Sequence, residues 1–164
     1  MNAVIEKMVE GDWAAVREIY REGIATGNAT FETELPDWEK WNRGHLACCR
    51  LVARNGAQVF GWAALSAVST RKVYAGVAEV SVYVASSARG AGVGKALLQS
   101  LIRESERQGI WTLQAGIFPE NTGSIALHRA CGFREIGKRE RVGQLNGVWR
   151  STTLLERRSK IVGI

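Results

Sequence analysis

The stretch from Val77 to Gln108 constrains this chain more than any other. Ala78, Val80, Val82 and Val84 alternate with Val77, Glu79, Ser81 and Tyr83, the period-two pattern of a half-buried strand. A turn follows, Arg89-Gly90-Ala91-Gly92-Val93-Gly94-Lys95, and then a helix with Val93, Leu97 and Leu101 on one stripe and Gly109 as its stop. Glycines between a strand and a helix let successive backbone N–H groups converge on an anion, and the helix N-terminus adds about half a positive charge there. A diphosphate is the natural occupant; the plainer alternative is a tight turn without a ligand. Two familiar phosphate loops fail on specific residues. A P-loop ending at Gly94-Lys95 would need glycine where Arg89 stands and Ser or Thr where Ala96 stands. A dinucleotide turn needs GxGxxG, whereas Gly90, Gly92 and Gly94 are spaced GxGxG.

Around this unit the pattern predicts a strand over Ala3–Met8 and a helix capped by Asp12, with Val16, Ile19, Tyr20 and Ile24 on one face. Gly27-Asn28 ends that helix, and Ala29–Pro36 reads as a loop. Asp37 caps a second helix carrying Trp38, Trp41 and Leu46. Cys49–Arg54, Asn55-Gly56 and Gln58–Ser66 form a hairpin signal, followed by a polar, turn-like Ser69–Gly76. After the central helix come a strand over Ile110–Phe118, a short helix over Thr122–Cys131 and a closing hairpin, Phe133–Gly143 and Val148–Glu156, turning at Asn146-Gly147. The order β-α-α-β-β-β-α-β-α-β-β mixes hairpins with βα units, so the expected class is α+β with a mixed sheet. One domain accounts for residues 1–164, with a core over about 3–156 and a frayed basic and apolar tail over 157–164.

A chain of 164 residues with 46% hydrophobic and 23% charged residues has enough apolar surface to fold without staples. Its net charge of +6 favours anionic partners: nucleic acid, a membrane surface or a small phosphorylated ligand. Cys48, Cys49 and Cys131 are odd in number, two are adjacent and none forms a CxxC, which argues against a disulfide framework or a metal site. No apolar run approaches the length of a bilayer span, and the first residues lack a basic segment followed by an apolar one. A soluble, cytoplasmic protein is the expectation. Six dispersed tryptophans without an interleaved basic run argue against nucleic-acid stacking and suit a core or a subunit interface.

Arg89-x-x-Gly92-x-Gly94 resembles the acetyl-CoA loop of the GCN5-related N-acetyltransferases, the GNAT superfamily. Glu79-Val80-Ser81-Val82-Tyr83-Val84, Phe118-Pro119-Glu120-Asn121, Ser124-Ile125-Ala126-Leu127-His128, Gly132-Phe133 and Trp149-Arg150 fall in that family's order and spacing. With Thr30-Phe31-Glu32 they are similar to the branch acting on phosphinothricin, methionine sulfoximine and arsinothricin, over about Ile5 to Glu156. The resemblance implies a mostly antiparallel mixed sheet flanked by helices, splayed between the strand at Val77–Val84 and the next one. It implies acetyl-CoA as cosubstrate, a small amino acid as acceptor, no metal, and a homodimer. The pantetheine arm would bond to the backbone of Val82, Tyr83 and Val84, and Tyr83 would lie near the donor for the developing oxyanion. The pyrophosphate would sit on Arg89, Gly90, Gly92, Val93, Gly94 and Lys95, with Asn121 and Ser124 on the pantetheine side.

Acyl transfer to an amine that is mostly protonated at neutral pH needs a base. Glu79 resembles the glutamate with that role; taken alone it is a solvent-facing strand carboxylate. His128 stands where many relatives carry a tyrosine that protonates the leaving thiolate, and a histidine there can donate or accept. Alone it is an ordinary helix histidine. Arg71 and Tyr74 match acceptor-pocket positions, whereas Ser69 replaces an arginine found in many relatives. Phe31 and Glu32 resemble a pocket wall and an amine contact, and each is otherwise an ordinary loop residue. Cys131, three residues past His128, could be a nucleophile, but core packing and direct transfer are the expectation. The function this implies is N-acetylation of a toxic glutamate-like amino acid, a detoxification conferring herbicide or antibiotic resistance. Its rivals are a peptide or protein acceptor and a non-catalytic acetyl-CoA-binding module.

Overall fold

A computed structural model describes residues 2–164 and shows a seven-stranded sheet flanked by four α-helices. The chain runs β1 (Val4–Lys7), α1 (Trp13–Ala25), α2 (Trp38–Gly44), β2 (Leu51–Asn55), β3 (Gln58–Ala67), β4 (Val77–Val84), α3 (Val93–Arg107), β5 (Thr112–Ile117), α4 (Thr122–Ala130), β6 (Arg134–Leu145) and β7 (Val148–Arg158). The strand order is β1-β2-β3-β4-β5-β7-β6, and every pair is antiparallel except β4 with β5. This is the expected α+β architecture and the expected element order.

The two faces of the sheet are packed by different helices, and neighbouring residues of β3 show why. A Cβ on Gly61 would lie 2.9 Å from Leu97 and 3.3 Å from Val93, both on α3. The next residue, Trp62, points the other way and meets Tyr20 of α1 edge-on at 5.7 Å. Alternation along a strand divides the core accordingly. Val16, Ile19 and Tyr20 of α1 are buried on one side, and Val93, Leu97, Leu98 and Leu101 of α3 on the other. Each fully buried leucine contributes roughly 1.5–3 kcal/mol.

The parallel pair is short. Val77, Ala78 and Glu79 register with Thr112, Leu113 and Gln114, and there the pairing stops. β4 continues to Val84 against β3 alone, while β5 continues to Ile117 against β7. The expected splay therefore begins immediately beyond Glu79.

Three local expectations need correction. Asp12 does not cap α1: its Oδ2 accepts from the Val9 N–H at 2.9 Å and its Oδ1 pairs with Arg54. The carboxylate is buried, and a buried charge needs an opposite charge more than a helix end needs a cap. The β2–β3 turn is Gly56-Ala57, because Asn55 still pairs with Gln58. The tail is not frayed: β7 runs to Arg158, the buried Ser159 donates its N–H to the Trp111 carbonyl at 2.8 Å, and its Oγ donates to Glu106 at 2.9 Å. By contrast, Asp37 caps α2 as expected, accepting from the Lys40 N–H at 2.8 Å, and Asn146 and Gly147 take the two positive φ values, 49° and 79°, of a tight hairpin turn.

Candidate active site

Beyond Glu79 the parting strands leave a cleft of about 430 Å³. Its walls come from α1, the 29–36 loop, α2, β4, β5 and α4. Glu79, Tyr83, Phe31, Glu32, Asn121, Ser124 and His128 all line it, so residues up to 97 positions apart converge on one space.

Glu79 stands at the apex, paired in register with Ser66 on one side and Gln114 on the other. Gln114 Nε2 donates to Glu79 Oε2 at 3.1 Å, which orients the exposed carboxylate. Alternation places Tyr83 on the same face. Its ring stacks on Trp62 with centroids 4.9 Å apart and meets Tyr20 edge-on at 4.9 Å. Gly23 makes this possible, since a Cβ there would lie 2.7 Å from the Tyr83 ring. Burial raises the pKa of both phenols, so they line the floor as neutral groups.

On α4, Asn121 occupies the N-cap. Its Oδ1 accepts from the Ser124 N–H at 3.2 Å, while Nδ2 donates to the Asn28 carbonyl at 3.2 Å. One turn on, His128 is buried, and its Nδ1 donates to the Ser124 carbonyl at 2.7 Å. That bond puts the proton of the neutral ring on Nδ1 and leaves Nε2 as a lone pair, and the buried Nε2 has no hydrogen-bond partner among the described residues. Burial lowers the pKa of His128, and the Ser124 carbonyl only partly opposes this. The site thus holds an oriented carboxylate and a neutral imidazole with an accepting nitrogen.

The 27–32 segment is fastened across the cleft. Arg150 donates to the Gly27 carbonyl at 2.9 Å, to Asn28 Oδ1 at 2.8 Å and to Glu120 at 3.2 Å, while its guanidinium lies 4.1 Å above the Phe118 ring. Phe118 meets Phe31 edge-on at 4.8 Å. The sequence singles out Arg150 only as part of a pattern; its work is long-range, and local spacing carries no sign of it.

The glycine turn adjoins the cleft along β4. Gly90 and Gly92 have φ of +75° and +83°, and a Cβ at either would meet nothing within 4 Å. They are glycines for their backbone shape, and the space above them is open. Gly94 lets α3 approach, a Cβ there lying 3.2 Å from Leu127 and 3.5 Å from Val84. Arg89 and Lys95 are exposed beside the turn, and the β5-facing edge of Val80–Val84 has no strand partner among the described residues. An open N–H turn with two cations, continuous with a free strand edge, fits the diphosphate and amide-bearing arm of acetyl-CoA.

Arg71 and Tyr74 are not brought to the cleft. They lie in the exposed turn before β4, with the Arg71 guanidinium 5.4 Å from the Tyr74 ring. Cys131 ends α4 outside the cleft lining, and burial raises its thiol pKa, which disfavours a thiolate. Sequence reasoning did not single out Lys40, Gly44, His45 or Ser66, which also line the cleft, Ser66 in register with Glu79. A spacing of four between Lys40 and Gly44 was the available signal that both share a face of α2. Among the described residues, no group of three or more His, Cys, Asp or Glu could hold a metal ion, and no helix is long and apolar enough to cross a membrane.

Comparison with known proteins gives a consistent result. The acetyltransferase (GNAT) family matches residues 13–133. An L-methionine sulfoximine/L-methionine sulfone acetyltransferase of Pseudomonas aeruginosa is 32% identical, over 95% of this chain and 94% of its own. The crystal structure of a GNAT superfamily phosphinothricin acetyltransferase from Sinorhizobium meliloti, in complex with acetyl-CoA, superposes with a TM-score of 0.87 at 32% identity, covering 99% of this chain and 91% of that one. A ribosomal-protein-alanine N-acetyltransferase from Brucella melitensis has a TM-score of 0.87 at 34% identity, covering 95% of this chain and 99% of that one.

Proposed function

Because this chain belongs to the acetyltransferase (GNAT) family, we propose that it transfers acetyl from acetyl-CoA to the α-amino group of a small, glutamate-like amino acid of the phosphinothricin, methionine sulfoximine or arsinothricin kind. The observation that carries this reading is the convergence, in one cleft of about 430 Å³, of the oriented Glu79 carboxylate and the neutral His128, with the free edge of β4 leading to the glycine turn.

The residues that would hold acetyl-CoA are the amides around Gly90, Gly92, Val93, Gly94 and Lys95, the side chain of Arg89, and the backbone of Val82, Tyr83 and Val84. Bound there, it supplies an acyl carbonyl activated as a thioester. Asn121 and Ser124 border the arm. Glu79 takes a proton from the acceptor's ammonium, so that the nitrogen gains a lone pair for direct attack. A backbone N–H of β4 near Tyr83 faces the oxygen that gains charge. His128 Nε2, a lone pair in its present tautomer, accepts the second proton from nitrogen and returns it to the leaving group. Phe31, packed on Phe118, forms the acceptor wall, and Glu32 faces the amine. Arg71 and Tyr74 reach the acceptor only if the exposed turn that carries them moves.

The wider reading has this activity detoxify glutamine-synthetase inhibitors in the cytoplasm, giving herbicide or antibiotic resistance, with the protein a homodimer. In support of the dimer, β6 exposes nearly its whole length, and Ile136, Val142, Val148 and Trp149 are apolar residues left in solvent. A second reading, a protein N-terminus as acceptor, is favoured by the likeness to the ribosomal-protein-alanine enzyme. Against it stands the 27–32 segment, strapped down by Arg150 and Asn121, which narrows the cleft to small-molecule size. A thiol-release assay with acetyl-CoA separates the two. Turnover on phosphinothricin, methionine sulfoximine or arsinothricin supports the proposal, and turnover on alanyl peptides alone overturns it.

A further inference from the structure

We propose that Lys40 sets the acceptor specificity of this cleft by holding an oxyanion at the far end of the acceptor's side chain. This rests on the reading of the cleft as an amino-acid site. Glu32 and Glu79 put two carboxylates on the cleft, and Lys40 is the one lysine or arginine among the described residues lining it. His45 and His128 also line it, each with its Nδ1 bonded to a backbone carbonyl. Arg71, the cation expected from sequence to meet an acceptor anion, is outside the lining. Among the described residues the Lys40 ammonium forms neither an ion pair nor a side-chain hydrogen bond, so its donors are free for a ligand.

Distance along the wall assigns Lys40 to the side-chain anion. The end of α2 is tied to the strand beside Glu79: Leu46 donates to the Leu65 carbonyl at 2.7 Å, and the next residue, Ser66, registers with Glu79. Gly44 closes α2 at that point, and a Cβ there would meet nothing within 4 Å, so the wall is open. Lys40 lies one turn back on the same face, about 6 Å along the helix axis. An acceptor with its nitrogen at Glu79 keeps its α-carboxylate next to Glu79, because both groups share a carbon. A side chain laid along Gly44 carries its terminal group towards Lys40. The cleft is therefore built for a terminal oxyanion, such as a phosphinate or carboxylate, over a neutral sulfone.

The test compares kcat/KM for L-phosphinothricin, which has an anionic side chain, and L-methionine sulfone, which has a neutral one, in wild type, Lys40→Met and Lys40→Arg. The methionine keeps the length of the stem and removes the charge. The expected result is a phosphinothricin-to-sulfone ratio that falls about tenfold in Lys40→Met, as loss of one charged hydrogen bond requires, and is largely kept in Lys40→Arg. Calorimetric affinity for phosphinothricin with CoA present should fall alike. A ratio within about twofold of wild type in a Lys40→Met protein with native circular dichroism, or an equal loss on both acceptors, overturns the assignment. A wild-type protein that acetylates neither amino acid overturns the functional reading itself, and the Lys40 assignment with it.

Discussion

Gln114 Nε2 donates to Glu79 Oε2 at 3.1 Å across the last register pair before β4 and β5 part. The carboxylate proposed as the base is thus held by the residue opposite it, on the strand that turns away to open the cleft. Replacing Gln114 by Leu keeps the volume and removes the donor. A lost hydrogen bond of about 1–1.5 kcal/mol, acting on orientation, predicts a kcat about tenfold lower with the KM for acetyl-CoA unchanged. Steady-state kinetics check this, and a rise in the acetyl-CoA KM at constant kcat would contradict it.

Arg150 ties the acceptor loop to the opposite wall through Gly27, Asn28, Glu120 and the face of Phe118. Arg150→Met keeps most of the stem packing and removes the donors and the charge. The freed 27–32 segment no longer presents Phe31 and Glu32 in one arrangement. The expected outcome is an acceptor KM raised about tenfold, from roughly 1–3 kcal/mol of lost interaction, with a smaller rise in the KM for acetyl-CoA. Equal rises in both would show that the strap does not belong to the acceptor side.

His128 predicts a pH dependence of stability. Burial lowers its pKa from the ordinary 6.5, so over the interval below 6.5 the unfolded chain binds more protons than the folded one. The stabilisation is complete above about pH 6.5 and is lost as pH falls through the folded value. His45, also lowered by burial, acts in the same direction. Thermal melts between about pH 5 and 8 should show a Tm that is flat at the alkaline end and falls on the acid side. In His128→Gln the acid-side slope should be shallower. An unchanged slope would mean that the imidazole is protonated in the folded protein.

The glycine turn, the alternation of β4 and the Asp37 cap were legible in the sequence because each is a local rule written in adjacent residues. Glu79, Phe31, Glu32, Asn121, Ser124 and His128 were candidates only through the family resemblance of the motifs that carry them, and the fold brings them to one cleft. What escaped depends on contacts between distant segments. Asp12 reads as a cap until Arg54, 42 residues away, takes its carboxylate. The tail reads as frayed until Ser159 finds Trp111 and Glu106. Lys40 and His45 belong to no local motif, and the hydrogen bond from Leu46 to Leu65 is what ties the end of α2 to the strand that registers with Glu79.

The most direct test of the account is the turnover of Glu79→Gln in a thiol-release assay with acetyl-CoA and phosphinothricin at neutral pH. The glutamine keeps the shape of the side chain and can still bond to Gln114, but it cannot take a proton from an ammonium. Loss of a positioned base predicts a kcat lower by about 10²–10⁴, with acetyl-CoA affinity unchanged by calorimetry. A kcat within about threefold of wild type, with the same acetyl-CoA affinity, would contradict the assignment of Glu79 as the base.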